Sequence, residues 1–294
     1  MIKIKVLTSN LIHTKKMTEY TKILLGNVIK KNVIFIFILS NLTVFGQIDS
    51  VHKAEYTKAK KMYFEGKYDD ALRAINSEIY LFEKNSFYTL DSVFYYKGLI
   101  IYGQRPFSYE IESRQKEKLQ AINALEKAVE LNPLFKEAYY TKAKILFDYF
   151  TISEGVERVL ENLDKSIELD SNYIDALYWR SWILHAQRNQ SKENLQQSLN
   201  DLNRIISLDS TKAHYFYKRA NVLWDINSGK KDTEKALKDI NKAIDLEGFS
   251  CNYISLRCRI YIQLGLFTEA CNDFKMIQKM NCGSLPPNIN PCEK

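Results

Sequence analysis

Four eleven-residue segments of this chain line up without a gap, beginning at Ala121, Val159, Ser198 and Ala236. No other feature constrains the fold as strongly, because a unit that recurs at near-constant spacing has to bury its apolar face against its own neighbours. Weaker copies begin at Ala71 and Ala270. Within each segment apolar residues return at offsets 0, 1, 4, 7, 8 and 10, which is one face of a helix with 3.6 residues per turn. Each segment is read as the second helix of a helical pair.

A small residue with large apolar neighbours marks the first helix of each pair. It is Gly98, Ala143, Ser181, Ala220 and Cys258, with Ala59 in the weaker first copy. Four residues earlier stand Phe94, Tyr139, Leu177, Phe216 and Ile254, and three residues later Ile101, Leu146, Leu184, Leu223 and Tyr261. A small side chain between large ones lets a neighbouring helix approach closely, so these are core positions.

The pattern resembles the tetratricopeptide repeat family, in which a small residue in the first helix is followed by an alanine opening the second, another seven residues on and a closing proline. Ala121, Ala128 and Pro133 match the last three features, and Gly66-Lys-Tyr-Asp-Asp-Ala71 and Gly265-Leu-Phe-Thr-Glu-Ala270 match the short turn between the helices. The resemblance implies an all-α, right-handed superhelical solenoid of about six hairpins, at residues 53–86, 91–135, 136–173, 174–212, 213–250 and 251–284. From each second-helix start to the next small residue the distance is 22 residues at four consecutive junctions. Inside the hairpins it is 12 in the first and last copies but 23, 16, 17 and 16 between them, so insertions are expected at the turns, with Ser153, Ser191 and Asp232 as helix N-caps.

The charge is concentrated away from the repeats. Residues 1–46 hold seven lysines and one glutamate, so six of the seven net positive charges sit there and the body is left at +1, which gives no electrostatic basis for binding nucleic acid. Lys30 and Lys31 precede the apolar run 33–39, and Val44-Phe45-Gly46 provides residues suited to cleavage before Gln47. That is the anatomy of an export signal, and the same residues left uncleaved would anchor the chain by an N-terminal helix. The long basic region also admits a start at Met17. Export places the solenoid, residues 47–284, in the periplasm or at an outer membrane. There the five cysteines Cys251, Cys258, Cys271, Cys282 and Cys292 become disulfide candidates with one thiol left over. Among the expected arrangements are Cys282 with Cys292 inside the tail that includes residues 285–294, and Cys251 with Cys282. Neither C-x-x-C nor clustered histidine is present to hold zinc.

No arrangement of residues suggests catalysis, and no cofactor is implied. Ser228-Gly229-Lys230-Lys231 lacks the earlier glycine and the following hydroxyl of a phosphate loop. The first helices instead carry three rows on a face distinct from the core. Three residues before the small position come Tyr95, Tyr140, Tyr178 and Tyr217. One residue after it come Leu99, Lys144, Trp182 and Asn221, and four after it Tyr102, Phe147, His185 and Trp224. In the family this face lines the concave groove, and the resemblance implies that it docks a protein or peptide here, with no small-molecule substrate. The other reading is a structural or envelope-assembly component that uses the hairpin edges.

Overall fold

The computed structural model describes residues 56–85, 90–103, 111–149, 155–187, 191–226, 229–282 and 290–293. The N-terminal basic and apolar segment and Ser153 lie outside the described residues. Twelve α-helices and no strand occur among the described residues. They form two compact units, one ending at Leu81 and one running from Phe82.

In the first unit α1 (56–64) turns through Gly66 into the start of α2 (Tyr68–Asn85). The second unit contains five antiparallel hairpins. They are α3 (Asp91–Gly103) with α4 (Ile111–Leu131), α5 (Lys136–Tyr149) with α6 (Val156–Leu169), α7 (Ile174–Ala186) with α8 (Lys192–Leu208), α9 (Ala213–Ile226) with α10 (Lys230–Glu247), and α11 (Cys251–Leu264) with α12 (Phe267–Lys279). Each helix packs on the next in sequence, within and between hairpins. Among the described residues no helix is long and apolar enough to cross a membrane.

The small residues sit where the two helices of a hairpin come closest. Ala143, Ala220 and Cys258 are fully buried, as are Ala121, Ala236 and Ala270 on the second helices. Ser181 and Ser198 occupy equivalent places in the α7/α8 hairpin, and the Ser198 hydroxyl donates to the Ser181 carbonyl at 2.8 Å. A buried hydroxyl is tolerated there because its hydrogen bond is met inside the hairpin. Gly98 leaves less room still. A β-carbon on it would lie 2.8 Å from Leu125 Cγ and 3.2 Å from the Ala121 carbonyl oxygen. Gly98→Ala gains about 1 kcal/mol of helix propensity but has to displace a buried leucine in a close-packed contact, which costs about 1–3 kcal/mol. Urea denaturation of the variant is expected to give a net loss of about 1 kcal/mol; a gain in stability would mean that α3 and α4 can separate freely.

The core runs from hairpin to hairpin. One cluster joins Phe216, Ala220 and Leu223 of α9 to Ile240 and Ala243 of α10 and to Tyr253, Leu256 and Ile260 of α11. The sequence expectation for offset 10 needs correction, because Leu131, Leu208 and Leu246 are exposed. They stand in the last turn of their helices, beyond the reach of the partner helix. The chain then turns on side-chain oxygens. Asn132, Asp170 and Asp209 accept from the backbone N–H of Leu134, Asn172 and Thr211, respectively. These Asx turns recur with and without proline, so Pro133 is not what holds the corner.

The expanded hairpins also differ from expectation. Much of the extra length prolongs the second helix at its N-terminus: α4 starts ten residues before Ala121, and α8 and α10 each start six before Ser198 and Ala236. Ser191 does cap α8, accepting from the Asn194 N–H at 3.1 Å. Asp232 does not cap α10. It lies inside that helix, behind Gly229, whose φ of 128° lies in the region that favours glycine.

At the C-terminal end Cys251 is joined to Cys282, and Cys271 to Cys292. The Cys282–Cys292 pairing is not formed, and Cys258 is not a disulfide partner, because its side chain is buried against α12, where it contacts the Ala270 carbonyl. Burial pushes its thiol up to about 11, so at neutral pH it stays protonated and poorly nucleophilic. The second bridge holds the short 3-10 turn Pro291–Glu293 on α12.

Candidate functional site

The three rows of the first helices are all half-buried. The tyrosine row bridges neighbouring hairpins through its rings: Tyr95 packs on Phe135 at 4.8 Å, Tyr140 on Tyr173 at 5.3 Å, Tyr178 on Tyr215 at 5.7 Å and Tyr217 on Tyr253 at 5.1 Å. Each aromatic pair of this kind contributes about 0.5–1.5 kcal/mol beyond the area it buries. Burial pushes the Tyr140 phenol up to about 12 and raises Tyr178, so these two phenols stay protonated at physiological pH. The row therefore clamps successive hairpins together, whatever else it touches.

The row four residues after the small position reaches across to the next first helix. The Tyr102 hydroxyl donates to the Asp148 carboxylate, and His185 Nε2 stands 2.5 Å from Asp225 Oδ2. Phe147 meets Trp182 edge-on at 5.2 Å and Trp179 at 5.7 Å, while Arg259 lies over the Trp224 ring at 5.9 Å. Trp179 and Trp182 are themselves 5.9 Å apart, and the Lys144 ammonium stands 5.5 Å from the Tyr140 ring and 5.7 Å from that of Trp179. One patch therefore gathers Phe147, Trp179, Trp182 and Lys144 from α5 and α7. Asn221 lies apart from it, with its amide donating to the Tyr217 carbonyl one turn back. Trp179 was missed in the sequence because it belongs to a fourth row, two residues before the small position, where the other copies carry Tyr96, Thr141, Lys218 and Leu256.

On the opposite flank of the same helices stands a feature that the sequence did not disclose. The residue before the small position is arginine in three successive hairpins, and each arginine grips an aspartate three residues beyond the second-helix start. Arg180 holds Asp201 through Nε and Nη2 at 2.8 and 2.6 Å, Arg219 holds Asp239 at 2.7 and 2.7 Å, and Arg257 holds Asp273 at 2.8 and 2.7 Å. The third donor of each fork turns to the preceding second helix, to Asp164, Asn203 and Asn241. Every arginine thus ties its own hairpin and the one before it. Burial works against the Arg180 charge, but the hydrogen bonds and charges of Asp201 and Asp164 outweigh it and hold the group above its usual value. Lys142 stands in the equivalent place in α5 and reaches Glu126 at 3.4 Å.

No protein-family model and no curated protein matches this chain. PilF of Pseudomonas aeruginosa, a solved structure, is similar over 81% of this chain and 95% of its own, with a TM-score of 0.57 at 10% identity. The chain has the tetratricopeptide-repeat fold. Two further solved structures are similar to this tetratricopeptide array. YrrB, described as a TPR protein with an unusual peptide-binding site, is 20% identical over 68% of this chain and 88% of its own, with a TM-score of 0.49. MamA from Desulfovibrio magneticus RS-1 is 17% identical over 57% of this chain and 88% of its own, with a TM-score of 0.48.

Proposed function

We propose that this protein is a non-catalytic scaffold that binds an extended protein segment along the rows of its first helices, with Trp182 as the main anchor. The observation that carries this reading is the patch of Phe147, Trp179, Trp182 and Lys144. The tyrosine row already fastens hairpin to hairpin, and this patch adds two half-buried indoles beside a half-buried lysine. Rigid aromatic rings beside a cation give contact area with little conformational freedom to lose, which is the composition of binding hot spots. The same reading places the protein outside the cytoplasm, since two disulfides close its last hairpin and such bridges persist in oxidising compartments. Recovery of the chain from the cytoplasm with these thiols reduced would overturn that placement.

The binding surface is tested with random ten-residue segments displayed within a loop and selected on the full chain. All three tryptophans, Trp179, Trp182 and Trp224, lie on first helices, so intrinsic fluorescence reports on this face directly. Trp182→Ala is expected to weaken selected segments by about tenfold or more while keeping its helicity and a cooperative urea transition, with a stability loss of about 1–3 kcal/mol from the contacts to Phe147 and Trp179. Undiminished binding by a folded variant would move the interaction to the hairpin edges.

A further inference from the structure

The cations of the first helices α5, α7, α9 and α11 divide into two sets. Those that face the second helices or the corners are paired: Lys136 with Asp170, Lys142 with Glu126, and Arg180, Arg219 and Arg257 with their aspartates. Among the described residues no carboxylate lies within ion-pair distance of Lys144, Lys218 or Arg259. Lys144 and Arg259 follow the small position, in the row of Trp182, and Lys218 stands two before it, in the row of Trp179, so all three lie on the side of the helices that carries those indoles. The acids of this face are engaged elsewhere or stand at its edge. Asp148 takes the Tyr102 hydroxyl and Asp225 faces His185, while Glu137 and Asp175 stand in the first turns of their helices. Helix α11 contributes no acid at all.

The environment of these cations also favours an anion. Lys218 is half-buried, and burial alone, with no charge to oppose it, lowers its affinity for the proton. A desolvated ammonium without a partner is a cost that a carboxylate from outside would offset. Trp224, beneath the Arg259 guanidinium, carries a buried indole N–H with no acceptor. The stretch from Lys144 to Arg259 therefore presents cations that no carboxylate of the described residues neutralises, interrupted by the aromatic patch.

We infer that this face takes an acidic, extended protein segment about ten residues long, whose side-chain carboxylates meet Lys144, Lys218 and Arg259 and whose apolar side chain rests on Trp179 and Trp182. The length follows from three helix-to-helix steps of roughly 10 Å covered by an extended chain at about 3.3 Å per residue. One step per three residues places acids near positions 1, 7 and 10 of the segment and the apolar residue near position 4. With three carboxylates set on three hairpins along a face that spans four, recognition requires no free C-terminus. The body of the protein is nearly neutral, so these cations act at contact distance rather than through a long-range field, which favours a short acidic segment over a nucleic acid.

This inference rests on the first-helix face being the binding surface, and the selection separates the two. Segments selected on the full chain are expected to be enriched in Asp and Glu at least threefold over the starting library, with an apolar residue between the acids. The Lys218→Gln/Arg259→Gln variant, shown to be folded by circular dichroism, is expected to lose that enrichment and to bind the wild-type winners at least tenfold more weakly. Winners without acidic bias that still depend on Trp182 would sink the acidic partner and leave the binding face standing. An absence of winners would sink both. Displacement of the winners by a single-stranded oligonucleotide at a lower concentration than by an acidic decapeptide would assign the face to nucleic acid and overturn the inference.

Discussion

Arg219→Ala lowers the unfolding free energy by about 3 kcal/mol, the value expected when one partner of a buried ion pair is removed. Its guanidinium supplies two hydrogen bonds of 2.7 Å to Asp239, whose side chain is only 9% exposed, and a third to Asn203 on the preceding hairpin. Without it, Asp239 keeps its desolvation penalty and loses its partner, and the α8/α9 junction loses a tie. The reverse change, Asp239→Ala, is milder, because the freed arginine is 21% exposed and can turn to water. Replacing both, as Arg219→Met/Asp239→Leu, is expected to restore most of the loss, since apolar side chains of similar volume need no partner. Urea denaturation of the three variants measures these differences. A loss below about 1 kcal/mol in Arg219→Ala would rank the pair with ordinary surface ion pairs.

The second large effect concerns the C-terminal end. The bridges close loops with sequence separations of 31 and 21 residues, which on the chain-entropy scale corresponds to about 3–4 kcal/mol each. The tail turn at Pro291 is held on helix α12 by the second bridge. Reduction is therefore expected to lower the stability of α11 and α12 by about 3 kcal/mol or more while hydrogen exchange in α5 through α8 changes little, because each repeat mainly feels its neighbours. Equal loss of protection along the whole array would mean that the last hairpin governs its cooperativity. No loss anywhere would mean that the tail contributes nothing to covering the end.

These two features were unequally legible. The cysteines are confined to the last hairpin and tail, so disulfides there could be expected from position alone, but which sulfur meets which depends on how the chain returns over α12. The Arg–Asp ladder has a sequence signature, an arginine before the small residue and an aspartate three residues into the following segment. It stayed hidden because the two lie 16 to 21 residues apart and become neighbours only when the hairpin closes. The aromatic rows show the same divide. Their phase could be counted from the sequence, whereas the split between tyrosines that fasten hairpins and the patch of Phe147, Trp179, Trp182 and Lys144 required the positions of the neighbouring helices.

Periodicity by itself determined that this chain is a helical repeat array and which small residues seat one helix on another, because a 3.6-residue phase and a close approach are local demands that each copy states alone. Only the tertiary structure decided that added length prolongs α4, α8 and α10, that Leu131, Leu208 and Leu246 face solvent, and which cations are neutralised. Those outcomes depend on what the neighbouring helix brings within about 4 Å, and no single repeat contains that information.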